Sequence, residues 1–193
     1  MKALRRADRM KALTHTEKFY LEAAEGWLML GNPTEAHEEL EHISGENCYH
    51  PAVLSLRWQV YAAARWWEAA YVIAKALCEL APTSVETWIC QANTLRNYKG
   101  IVDAWSLLLN VVNKFPKDPI IRYNLACYAA QMGLLEEACG WLVQAFELEE
   151  SVQLKLAAVY DPDLQPLWEK IGRQRLFNVE SKEQPAFVLA KKV

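Results

Sequence analysis

Apolar positions recur along this chain in a fixed step. Ala36, Ala70, Ala104 and Ala138 stand 34 residues apart, and each opens an apolar run that ends near Leu40, Ala74, Leu108 or Leu142. Ile43, Leu77, Val111 and Ala145 follow in the same register. No stretch alternates with period two for long enough to make a sheet. A fixed period of this length signals a stack of helix–turn–helix units, each burying its apolar face against its neighbours.

Capping chemistry sets the boundaries. Thr14 with Glu17 makes a capping box before a first helix that Gly31 ends. Asn32-Pro33 with Glu35, Asp118-Pro119 and Asp161-Pro162 each read as an N-cap followed by a first-turn proline. Thr83 with Glu86 repeats the capping box, and Gly133 closes another helix. These signals predict ten helices over 15–30, 33–45, 51–64, 67–80, 85–98, 101–115, 119–132, 135–148, 151–160 and 162–171. The connections are short, so sequential helices pack antiparallel. Residues 1–16 read as a basic extension or the start of the first helix, 17–150 as four repeats, 151–172 as a capping pair and 173–193 as a tail.

The recurring alanines mark a helix crossing, where a methyl fits and a larger side chain would push the backbones apart. Ala24, Ala92 and Ala126 supply the small partner on the first helix of repeats one, three and four. Trp58 stands there in repeat two, so either that hairpin is splayed or its first helix is shifted by a residue.

Composition narrows the class. Of 193 residues, 52% are hydrophobic and only seven are glycine, which suits packed helices. Residues 1–16 carry five cations against Asp8, whereas residues 17–50 carry eight glutamates against Lys18. The basic head reads as a solvated overhang, and the chain as a whole does not look like a nucleic-acid binder. Five cysteines without a C-x-x-C pair suit reduced thiols and a cytoplasmic setting. No secretory signal is visible, and no apolar run reaches the roughly 18 residues of a membrane span.

With these residues placed, the chain resembles the tetratricopeptide repeat family. Repeat one supplies Tyr20, Ala23-Ala24, Trp27, Gly31, Ala36, Leu40 and Ile43; repeat three supplies Trp88, Ala92, Leu95, Ala104, Leu108, Val111 and Pro116. Repeat four supplies Tyr123, Leu125-Ala126, Gly133, Ala138, Leu142 and Ala145. Repeat two keeps Trp67-Glu68-Ala69-Ala70 and Leu80-Ala81-Pro82 but lacks the turn glycine. The segment from Asp161 to Trp168, Asp-Pro-Asp-Leu-Gln-Pro-Leu-Trp, looks like the ending of many bacterial members. The resemblance implies an all-α, right-handed α-α superhelix (a solenoid) of about four repeats, closed by a C-terminal cap over the last apolar face.

Chemistry finds little footing. His37, Glu38, Glu41, His42, Cys48 and His50 are the one metal-capable cluster, without a recognised ligand spacing, and read as a solvated acidic face. All four histidines lie at or before residue 50, far along the chain from Cys90 and Cys127. No phosphate loop, G-x-S-x-G or H-E-x-x-H is present. The expectation is a non-enzyme with no metal and no cofactor.

The family resemblance implies a concave groove lined by the first helix of each hairpin. Its candidate residues are Glu22, Glu25, Gln59, Asn93, Arg96, Asn97, Tyr123, Asn124 and Gln131. Amides there can bond an extended backbone, with Tyr123 as an apolar anchor; alternatively the groove is only wet, or is filled by the chain's own tail. A carboxylate clamp does not fit, because neither register of its positions supplies the cations: Leu21, Glu25, Leu56, Glu86 and Cys90, or Ser55, Gln59, Cys90, Ile120 and Asn124. The leading expectation is a protein-interaction scaffold for a protein or peptide of unknown identity. The alternatives are a secretion- or assembly-type chaperone, which an amphipathic N-terminal helix would favour though residues 2–13 are only weakly so, and a homo-oligomeric structural element.

Overall fold

The computed structural model describes residues 12–149 and 151–171. The expectations for residues 1–11 and for the tail at 173–193 therefore lie outside the described residues. Two compact units divide at Tyr98 and Lys99, inside the turn of the third predicted repeat. The first contains α1 (His15–Met29), α2 (Pro33–Glu41), a 3₁₀ turn at Gly45–Tyr49, α3 (Pro51–Ala63), α4 (Trp67–Leu80) and α5 (Val85–Tyr98). The second contains α6 (Ile101–Val111), a 3₁₀ turn at Val112–Lys114, α7 (Pro119–Gln131), α8 (Leu135–Leu148), α9 (Val152–Tyr160), a 3₁₀ turn at Pro162–Leu164 and α10 (Gln165–Ile171). The described residues are all-α, with no strand.

Most helix starts follow the capping signals. Thr14 accepts from the Glu17 N–H at 3.2 Å while the Glu17 carboxylate accepts from the Thr14 N–H at 2.8 Å. Asn47 donates to the same carboxylate at 2.8 Å, tying the Gly45–Tyr49 turn to the start of α1. The Thr14 backbone, then Asn47, hold the Glu17 carboxyl below its usual range. Asn32 and Asp118 cap α2 and α7 as expected. His50, unforeseen as a cap, accepts from the Ala52 N–H through Nδ1 at 3.2 Å. At α5 the residue bonded to the Glu86 carboxylate is Ser84, not Thr83.

Three ends differ from expectation. α2 stops at Glu41, and the chain is already extended at Ser44 before the 3₁₀ turn that begins at Gly45. α6 tightens into a 3₁₀ turn after Val111. The last helix starts at Gln165 rather than Pro162, since Pro166 lacks the N–H that a helix begun at Pro162 would need.

The periodic alanines are where the crossing argument requires them. Ala36, Ala70, Ala104 and Ala138 are all fully buried, as are Leu40, Ala74, Leu108 and Leu142 one turn on. Ala24 and Ala126, on the helices that face α2 and α8, are equally buried, as is Ala92 on α5.

Hairpin turns repeat at the same step. The N–H groups of Asn32, Trp66 and Leu134 reach back to the carbonyls of Trp27, Tyr61 and Ala129, each at 2.9 Å. Those of Gly31, Arg65 and Gly133 bond Leu28, Ala62 and Ala130 at 3.0–3.1 Å. This paired closure needs a left-handed residue, and the φ angles are 75°, 58° and 77°. Repeat two thus keeps the turn with arginine in the glycine position. α3 packs along α4, and their turn closes at the same repeat positions as those after α1 and α7. Trp58 is accommodated half-buried, its indole N–H donating to Thr94 on α5 at 2.8 Å.

Arg65→Gly should raise stability by about 0.5–1 kcal/mol in urea denaturation: relief of a left-handed side chain is worth roughly 1–2 kcal/mol, less the extra chain entropy of glycine. Ala138→Leu should lower it by about 1–3 kcal/mol through overpacking at the crossing. An unchanged midpoint in either variant would contradict the geometry.

Candidate partner-binding surface

In the first unit the groove candidates sit on α1, α3 and α5. Glu22 and Glu25 are exposed on α1, and Gln59 is half-buried on α3. Asn93 and Arg96 are half-buried and Asn97 exposed on α5. The Asn97 amide donates to the Asn93 carbonyl of its own helix at 2.9 Å. These residues carry two carboxylates, three amides and one guanidinium, of which Asn93 and Arg96 also have partners within the chain.

The second unit departs from expectation. Tyr123 is not a surface anchor: it is 3% exposed, and its hydroxyl donates to Asp161 Oδ2 at 2.9 Å. Cys127, one turn on, approaches the same oxygen at 3.8 Å. Gln131, a further turn on, donates to the Asp163 carbonyl at 2.8 Å. Asp161 Oδ1 also accepts from the Asp163 N–H at 2.9 Å, pinning the turn. This stripe of α7 therefore holds the chain's own Asp-Pro-Asp-Leu segment. Asn124 is half-buried, with its amide donating to the Ile120 carbonyl at 2.8 Å.

Behind that turn the segment seats apolar side chains. Leu164 and Leu167 are fully buried and Trp168 is 4% exposed, in one cluster with Ala126, Ala130, Leu142, Ala145, Leu154 and Ala158. The Trp168 indole N–H donates to the Ala158 carbonyl at 2.9 Å. A sequence clue existed: Tyr123 and Asp161 are 38 residues apart, one repeat plus one helical turn.

Within the histidine cluster His37 Nδ1 lies 3.9 Å from the Glu41 carboxylate, and the other histidines have partners elsewhere. His42 stacks on Tyr20, His37 meets Tyr61 and Trp66 edge-on, and His50 caps α3. The Glu41 carboxylate pairs with Arg57, which also donates to the Leu40 carbonyl at 3.1 Å. Among the described residues no group of three or more such side chains could hold a metal. Burial pushes the Cys78 and Cys90 thiols up to about 11, with nearby charged groups adding to the shift. At neutral pH both stay protonated and are poor nucleophiles. No helix among the described residues is long and apolar enough to cross a membrane.

The Tyr123 hydroxyl is pushed well above its usual range, first by burial and then by the neighbouring Cys127 and Asp161. A group raised on folding contributes its stability below the unfolded value of about 10 and loses it as pH rises beyond that. Stability should therefore fall above about pH 10, and Tyr123→Phe should flatten that limb. At pH 7 the same variant should lose about 1–2 kcal/mol with the hydroxyl–carboxylate bond, measured by urea denaturation at both pH values.

No family model and no curated protein matches the chain. Solved structures do. A structure of MamA from residue 41 to its end, from Desulfovibrio magneticus RS-1, superposes with a TM-score of 0.59 at 19% identity, covering 84% of this chain and 90% of that one. A MamA RS-1 double mutant gives 0.60 at 18% identity, over 84% and 95%. MamA MSR-1 gives 0.55 at 17%, over 77% and 85%. At these identities the likeness carries the fold, and the fold class is all-α, an α-α superhelix of helical hairpins.

Proposed function

We propose that the protein is a non-enzymatic protein-interaction scaffold, and that its partner surface is the polar face of the first unit. The observation that carries this reading is the set Gln59, Asn93, Arg96 and Asn97 on α3 and α5. These are half-buried or exposed polar groups on first helices, while the alanines of the second helices fill the core. Amides can both donate to and accept from an extended backbone, and Arg96 can take a carboxylate in two-point contact. Glu22 and Glu25 favour a basic residue toward the α1 end of the bound segment.

Tyr123 and Gln131 leave the proposed surface, because their polar groups hold the chain's own turn. The partner is thus a protein or peptide segment of mixed charge. Ordering a flexible segment costs roughly 2–5 kcal/mol of the gross interaction, so affinity is modest.

The test is affinity capture from the native host with mass spectrometry, followed by titration of the identified partner. Gln59→Ala, Arg96→Ala and Asn97→Ala together should weaken binding at least tenfold while leaving the helical circular dichroism intact. Tyr123→Phe, outside the surface, should bind as wild type. Equal affinity of the triple variant would remove this face from consideration. Light scattering across a concentration series checks the homo-oligomer alternative separately.

A further inference from the structure

Phe19, Ala23 and Trp27 form one stripe of α1, and the repeat step maps them onto Val53, Arg57 and Tyr61 of α3. On α3 that stripe is covered by a helix. Val53 is fully buried, and Arg57 bonds the Leu40 carbonyl and the Glu41 carboxylate at the end of α2. On α1 the stripe is open: Phe19 is 61% exposed and Trp27 37%, with Ala23 half-buried between them.

A row of carboxylates borders this stripe. Helical spacing sets Glu35, Glu38, Glu39 and His42 along one side of α2, away from His37 and Glu41, which meet α3. His42 stacks on Tyr20 at 4.6 Å, and Tyr20 meets Phe19 edge-on at 5.8 Å. Acid row and aromatic stripe therefore belong to one surface of the hairpin. Glu38 is exposed, Glu35 and Glu39 are half-buried, and among the described residues no cation pairs with any of the three. The matching positions on α4 are Ala69, Val72 and Ile73, so the charge is peculiar to this hairpin.

We propose that this surface docks a cationic amphipathic helix of a partner protein, a site separate from the polar face of α3 and α5. The helix sets its apolar side on Phe19, Ala23 and Trp27 and its lysines or arginines against Glu35, Glu38 and Glu39. Charge complementarity selects this occupant, since an apolar partner would leave three carboxylates against it unpaired. Ala23, midway between the rings, lets a helix axis approach to about 8–10 Å. Phe19 and Trp27 are separated by a rise of about 12 Å, which roughly three turns of helix cover. A two-fold contact between copies of this chain would instead set the acid row against itself.

The probe is a labelled peptide of about 15 residues, leucine and alanine on one helical face and lysine on the other, titrated into the full chain by fluorescence anisotropy. It should bind saturably, and a peptide with glutamate in place of lysine should bind at least tenfold more weakly. Glu38→Lys with Glu39→Lys should reverse that preference between the two peptides. Phe19→Ser with Ala23→Gln should weaken the lysine peptide at least tenfold. Gln59→Ala, Arg96→Ala and Asn97→Ala together should leave its affinity unchanged, which separates this site from the other surface. Circular dichroism verifies that each variant is folded. No saturable binding to the wild-type chain would overturn the proposal, as would equal affinity for the two peptides or binding that survives Phe19→Ser with Ala23→Gln. A wild-type oligomer that this double variant dissociates, seen by light scattering, would give the stripe to a second copy and also overturn it.

Discussion

Where the two helices of a hairpin cross, the backbones leave room for a methyl group and little more. Ala24 against Ala36 in the first unit, and Ala126 against Ala138 in the second, occupy such places, all without solvent exposure. That closeness sets the rest: Leu40, Leu108 and Leu142 fill the next turn, and each hairpin must reverse in a few residues to keep its helices aligned. The left-handed closure at residues 31, 65 and 133 provides that reversal. An arginine can occupy it because the side chain is exposed and the cost is backbone strain alone, which paired hydrogen bonds offset.

Local physics was legible in the sequence. The helices Trp67–Leu80, Val85–Tyr98 and Leu135–Leu148 begin and end where periodicity and capping place them, because both signals are short-range. Arg65 hid a turn that glycine announces elsewhere. Trp58 suggested a distorted hairpin, yet its indole finds Thr94 on the next first helix, a contact 36 residues away that spacing alone does not disclose. The site was read less well for the same reason. Tyr123 has an amphipathic side chain on a first helix, as suited to a groove as to a buried bond. Which of these it makes depends on where Asp161 returns, and that is set by the fold of the cap.

The two units consequently differ in what they can offer a partner. α7 uses Tyr123, Cys127 and Gln131 to secure the turn after α9, so these groups are engaged within the chain. α3 and α5 keep amides and a guanidinium at or near the surface. A burial-rich helix and a polar one thus arise from the same repeat template. The difference comes from the Asp-Pro-Asp-Leu segment, which returns to α7 and occupies its stripe.

The closure at Arg65 also bears on how such a chain can change length. Because Gly31 and Arg65 close their hairpins through the same two backbone bonds, duplication of the intervening 34 residues within the first unit would recreate every cap, crossing and turn in step. A duplication one residue shorter would rotate each following helix by about 100°, turning its alanines away from the crossing. Growth and loss of repeats are therefore quantised by backbone geometry, and point substitution at the turn is cheap where indels are not.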